Sequence, residues 1–223
     1  MESERLRDSV ELAQPYAHAQ TLLPAIDRLL ERGRLALASV EGLAVAAGPG
    51  SFTGLRIGIA AMEGLAFALE RPIVGVSTLD ALAFRYRQRG LPVAAFIDAR
   101  RGEVFAGFYR SDAEARWHCE LGPVCEAPRA FLRRLGSGPL LIAGSAVPVY
   151  RELIRETLGA AAELGEGPLH LAQEIALLGD RALQEGRSAP LGGIQAIYLR
   201  PSDAERASSA KSEAPAPTPS RQA

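Results

Sequence analysis

Between Gly48 and Gly54 the chain reads Gly-Pro-Gly-Ser-Phe-Thr-Gly, and it runs on as LRIGIAAMEGLAFALE to Glu70. Backbone amides at the start of a helix bind anions, and a glycine-rich strand–turn–helix presents them. Gly48, Gly50, Ser51, Thr53 and Gly54 are thus the residues that could meet a phosphate. The rest of a nucleotide-hydrolysing site is absent. A Walker A loop ends in Gly-Lys-Ser/Thr, whereas Leu55 and Arg56 follow Gly54. The glycine spacing does not fit a dinucleotide fingerprint, and no acidic residue follows the next strand in the expected place. A nucleophile elbow needs Gly-x-Ser-x-Gly, but Phe52-Thr53-Gly54 follow Ser51. The plainer use of these residues is structural: Ser51 or Thr53 caps the helix and the glycines permit the turn.

Other chemistry-bearing side chains are few. The three histidines, His18, His118 and His170, form no pair at helical spacing. Two cysteines, Cys119 and Cys125, are too few and too irregularly spaced for a disulfide framework or a zinc site, which points to a reducing cytosol. His118 beside Cys119 reads as a strand-edge histidine next to a buried thiol rather than as a dyad. Lys211 is the sole lysine, so every other basic side chain is arginine, and this bias removes weight from any single arginine.

At 223 residues, 48% hydrophobic and 23% charged, the chain is long enough to bury a core as one large or two small domains. A net charge of −1 supplies no global field for nucleic acid or an anionic membrane. No apolar run is expected to reach the length of a membrane span, and the charged start MESERLRDSVEL has no secretory h-region, so a cytoplasmic location is expected.

The elements that must position the loop follow from periodicity. Arg5–Leu12 alternates with Leu6, Val10 and Leu12 on one face and predicts a strand. His18–Glu31 places Leu22, Leu23, Ile26, Leu29 and Leu30 at helical spacing. Glu41–Gly48 is a short buried strand, Gly54–Glu70 the helix after it, Arg71–Ser77 the next strand and Thr78–Arg89 the next helix. The pattern then restarts. Leu91–Asp98 and Glu103–Arg110 form a hairpin about the Ala-Arg-Arg-Gly turn, and a third strand lies near Trp117–Leu121. A helix over Pro128–Leu135, a strand over Pro139–Gly144, helices over Pro148–Leu158 and Leu169–Gln184, and a terminal strand over Ile194–Arg200 complete the pattern. From Ala204 the Ala-, Ser- and Pro-rich sequence predicts a disordered tail. The first half is short of strands: its three would leave a small sheet with an exposed edge.

The helix after the glycine loop carries the most information. Arg56, Glu63 and Glu70 recur every seven residues as one narrow polar stripe, and everything else is apolar or small. A helix on its own sheet needs an apolar face only about 100° wide, so another helix or a partner must cover the remainder.

On the stretches GPGSFTGLRIGIAAMEGLA, PIVGVSTLDALA, AAFIDARRGEVFAGFY and IYLRPSDAE, with HAQTLLPAIDRLL before them, the chain resembles the TsaB (YeaZ) family. The resemblance spans most of residues 16–204 in the right order. It implies an α/β fold of two ribonuclease H-like halves of the actin and Hsp70 ATPase superfold, here 1–90 and 91–203. It also implies a non-catalytic subunit of the complex that transfers threonylcarbamoyl to adenosine beside the tRNA anticodon. TsaD would be the catalytic partner and TsaE, an ATPase, would join; homodimers form as well, tRNA is met only through the complex, and no cofactor is expected, with ATP entering only at the level of the complex.

The implied contact surface is the helical face of the first half, with His18, Leu22, Ile26, Leu55, Gly58, Ala61, Met62 and Leu65 as contact positions. The catalytic relative carries a metal-binding His-x-x-x-His where this chain has Thr78 and Leu82, neither of which replaces imidazole. A nucleotide-binding ATPase or phosphotransferase of the same superfold, using the glycine loop, is the alternative. In the family a strand and a hairpin with an Asp-Thr motif precede the segment matching Arg5–Leu12, so by the resemblance the first half, 1–90, lacks its opening strands: either the start is assigned too far downstream or the chain is a truncated form, and an in-frame strand–turn–strand upstream of Met1 would explain the gap.

Overall fold

The structure, a computed structural model, describes residues 6–11, 18–112, 117–165, 170–190 and 192–200. In chain order the elements are α1 (His18–Gly33), β1 (Leu43–Gly48), α2 (Phe52–Leu69), β2 (Ile73–Ser77), α3 (Thr78–Arg85), β3 (Val93–Arg100), β4 (Glu103–Ser111), β5 (Trp117–Glu126), α4 (Pro128–Arg133), β6 (Leu140–Ala143), α5 (Ala146–Val149), α6 (Arg151–Leu158), β7 (Ala162–Gly165) and α7 (Ala172–Gln184).

The larger sheet has five strands in the order β5-β4-β3-β6-β7. Its β3–β4 and β4–β5 pairs are antiparallel, whereas β3–β6 and β6–β7 are parallel. Helices cover both faces, and the central strand β3 accordingly reads as a nearly continuous apolar run, with Val93, Ala94, Ala95 and Phe96 fully buried. One core lies on the α3 side, around Leu79, Leu82, Val93 and Leu141. The other lies under α4, α5 and α6, around Phe96, Phe131, Ile142 and Ile154.

The first sheet has only β1 and β2, paired in parallel from Leu43 with Ile73 to Gly48 with Ser77. Helix α2 packs Leu55, Ile59 and Ala66 onto it beside Leu43, Val45 and Ile73. From the opposite end of the chain, α7 returns to these two strands. A Cβ at Gly179 would lie 2.3 Å from the Ala44 Cβ, so helix and strand approach more closely than any side chain allows.

Three expectations are corrected. Residues 6–11 form no strand; Asp8 pairs with Arg32 at 2.7 Å and Glu11 with His170 at 2.9 Å, and no ladder is offered to them among the described residues. Leu12 and residues 1–5 lie outside the described residues. Ile194–Arg200 forms no ladder: its amides go to the Ala47 carbonyl, from Ile197, and to the Glu63 carboxylate, from Ile194. The expectation that no apolar run is long enough to span a membrane also fails. At 18 residues and a mean hydropathy of 1.4, α2 is long and apolar enough by length and composition, because Arg56 and Glu63 are its only charges. In addition the sequence does not predict β7, whose Ala-Glu-Leu-Gly carries a single large apolar residue and which, among the described residues, pairs only with β6 at the sheet edge. The predicted tail from Ala204 lies outside the described residues.

Candidate functional site

Strand β1 ends at Gly48, whose φ of +106° suits glycine, and where a Cβ would meet the Ile197 carbonyl oxygen at 3.0 Å. Pro49 and Gly50 turn the chain, and Ser51 caps α2: its hydroxyl accepts from the Gly54 amide at 3.2 Å. The capping oxygen thus takes up one of the free amides on which an anion site at this turn would draw. Thr53 and Gly54 already lie within the first turn of α2. Replacing Ser51 by Ala is expected to cost about 1 kcal/mol of stability, read as a lowered denaturant midpoint at unchanged m.

The chain itself crosses the mouth of this loop. The Tyr198 ring lies against Phe52 with centroids 5.0 Å apart, and the Arg56 guanidinium sits 4.9 Å from the Phe52 centroid on the same ring system. Deeper along α2, Glu63 accepts the Ile194 amide at 2.9 Å, and Arg200 reaches Glu103 of the hairpin at 2.9 Å. The polar stripe therefore has a function that periodicity alone did not show. Glu63 holds the 194–200 segment, Arg56 lies over the Phe52 ring that Tyr198 also meets, and Glu70 ends the helix in a left-handed conformation, φ 53°.

Other faces of α2 differ sharply. Leu55 is buried against the sheet, Leu65 and Met62 pack partly against the same core, and Ala61 is half-buried. Gly58 and Met62, with Leu22 of α1, line a groove beside β1. Ala25 of α1 is buried against α2, while Ile26 is half-buried; His18 opens α1. Of the eight contact positions, the structure thus brings Leu22, Gly58 and Met62 together and sends Leu55 into the core. The exposed stripe of α2 is instead Ala60, Gly64, Phe67 and Ala68, one face by helical spacing. Phe67 is 69% exposed there, and Leu23 on α1 is 50% exposed.

A polar cluster not foreseen from the sequence joins α3 to its neighbours. Tyr109 donates to the Asp80 carboxylate at 2.7 Å, and burial, reinforced by the Asp80 charge, pushes its phenol far above the ordinary range. Burial likewise raises the Cys119 thiol, which is the opposite of what an activated nucleophile requires. Arg85 clamps Glu174 of α7 bidentately at 2.9 and 3.0 Å and also donates to the His170 carbonyl. These partners are 29 to 89 residues apart in sequence, so no local spacing betrays them. His118 is exposed on the edge strand β5 and Cys119 half-buried beside it. Thr78 opens α3, and Leu82 is fully buried; among the described residues no three His, Cys, Asp or Glu side chains group as metal ligands.

Comparison with known proteins places this geometry. A family model described as "TsaD: tRNA N6-adenosine threonylcarbamoyltransferase" matches residues 11–163. The chain is 34% identical over 190 residues to the tRNA threonylcarbamoyladenosine biosynthesis protein TsaB of Escherichia coli K12, covering 83% of this chain and 82% of that one. It is 30% identical over 191 residues to TsaB of Bacillus subtilis, covering 84% and 82%. Among solved structures, YeaZ from Pseudomonas aeruginosa superposes with a TM-score of 0.69 at 32% identity, over 82% of this chain and 86% of that one. With a mixed five-stranded α/β architecture matching YeaZ and relatives at this identity along four-fifths of its length, the chain belongs to the TsaB (YeaZ) family of tRNA threonylcarbamoyladenosine biosynthesis proteins.

Proposed function

We propose that this chain is a non-catalytic scaffold subunit that pairs with TsaD, with TsaE joining, in the complex that transfers threonylcarbamoyl to adenosine beside the anticodon of tRNA. It works in the cytoplasm, meets tRNA only through that complex and also forms homodimers. Its architecture is read as two ribonuclease H-like halves, the first represented by β1, β2 and their helices. Two features support the proposal: by the resemblance, Thr78 and Leu82 fall where the catalytic relative has its two imidazoles, and in the structure α2 keeps an apolar stripe exposed although both α1 and the first sheet already pack on it. The first feature removes the metal ligands on which the relative's transfer chemistry depends. The second leaves a helix face with surface to bury against another helix.

Co-expression with TsaD tests this. A one-to-one complex of the two chains is the expected elution species, and the isolated chain is expected to show no ATP turnover. Saturable ATP hydrolysis by the isolated chain, with no TsaD in the eluate, would instead establish the glycine-loop ATPase.

A further inference from the structure

Where one chain builds two sheets, rotation of one against the other is the default unless a large apolar contact opposes it. Here the chain leaves the first sheet after α3 and returns to it before α7, so these two helices stand at the crossings. One apolar core runs through both sheets at this level. Val74 and Val76 enter it from the first sheet, Leu82 from α3, Ile175 from α7, and Val93 and Leu141 from the larger sheet. Such a core resists separation of the sheets but does little to fix their angle, because apolar attraction is non-directional.

Direction comes from the two ends of α3. In its first turn Asp80 accepts from the buried Tyr109 hydroxyl of β4 at 2.7 Å, which ties the helix to the larger sheet. At its last residue Arg85 grips Glu174 of α7 by two bonds of 2.9 and 3.0 Å, and the Glu174 side chain is only 10% exposed. A bidentate guanidinium–carboxylate pair fixes orientation as well as distance. Helix α7 in turn has little freedom on the first sheet, because Gly179 closes on Ala44 with no space for a Cβ between them. The path between the sheets is therefore stiff at each step: Ala44 to Gly179, Glu174 to Arg85, and Asp80 to Tyr109.

We propose that α3 is a lock. Pinned at both ends, it holds the two sheets at one angle, so the chain does not close on a small ligand and offers any partner a surface of fixed shape. The polar ties at Asp80 and Arg85 set that angle, and the apolar core between them only keeps the sheets together. The inference concerns the free chain and does not rest on pairing with TsaD.

Residual dipolar couplings of the isotope-labelled full chain read the angle directly. Amides of β1, β2 and α2 and amides of β3, β4 and β6 are expected to fit one common alignment tensor. Addition of magnesium ATP is expected to leave that fit unchanged. In the double variant Tyr109→Phe with Glu174→Gln, the two sets are expected to need separate tensors, and relaxation dispersion is expected across residues 86–92, where the parent shows none. Tyr109→Phe alone removes one oxygen and no packing, and it gives the same reading at smaller size should the double variant not fold. The lock is overturned if the parent already needs two tensors, or if magnesium ATP rotates one set against the other. It is also overturned if the folded variants keep the single tensor, which would mean that the apolar core alone sets the angle.

Discussion

Gly64→Arg is expected to abolish pairing with TsaD while leaving the chain folded. Gly64 lies on the exposed stripe of α2, and a Cβ there meets nothing within 4 Å, so the monomer has room for any side chain. Glycine in a helix interior is about 0.8–1 kcal/mol worse than alanine, and arginine is close to alanine, so the isolated variant is expected to melt no lower than the parent. In a packed helix–helix interface the same guanidinium would be buried without a partner, at a cost of about 3 kcal/mol or more, roughly a hundredfold in Kd. Titration calorimetry against TsaD, with a thermal melt of the free variant, reads both quantities. Retained affinity in a folded variant would move the interface to another face, while Phe67→Ala on the same stripe should show a smaller loss in the same direction.

The second large effect concerns stability alone. Gly179→Val is expected to destabilise the chain by about 3 kcal/mol or more, because the added Cβ would stand 2.3 Å from the Ala44 Cβ and 3.3 Å from the Val74 Cγ1. Both neighbours belong to strands, so the clash is relieved only by lifting α7 off the first sheet, which also strains the Arg85–Glu174 clamp. For a chain of this length the melting temperature should fall by roughly 6–12 °C. Gly64→Val serves as the control: it makes the same chemical change in another helix, where a Cβ meets no atom, and is expected to be close to neutral. Equal effects at the two sites would refute the close-approach account.

How much of this was legible in the sequence depends on how local the causes are. The hairpin of β3 and β4 was read within two residues at each end, because alternating apolar runs meet at Ala-Arg-Arg-Gly, where Arg100 and Arg101 do adopt positive φ. The α2 boundaries were read within two residues because a capping serine and a glycine turn mark its start. The segments Arg5–Leu12 and Ile194–Arg200 have strand-like patterns too, but a ladder needs a partner edge, and pattern carries no information about whether one is available. The same limit applied to the site. Ser51 as the cap was within reach of the sequence. That Leu55 would face the sheet while Gly64 and Phe67 faced out required the position of β1. Asp80 with Tyr109 and Arg85 with Glu174 had no local signature at all, since each pair is assembled by the path of α3 between two sheets.

The bond between Glu63 and the Ile194 amide joins residues 131 apart. Together with α7, it means that β1, β2 and α2 are covered by residues made more than a hundred positions later. At about 5–20 residues per second, β1 and the apolar face of α2 wait on the order of ten seconds for their cover. During that interval the larger sheet can assemble by itself from consecutive segments, while the glycine-loop end stands uncovered. The interval belongs to chaperones, and a slowly translated message would lengthen the exposure of the segment that is most hydrophobic.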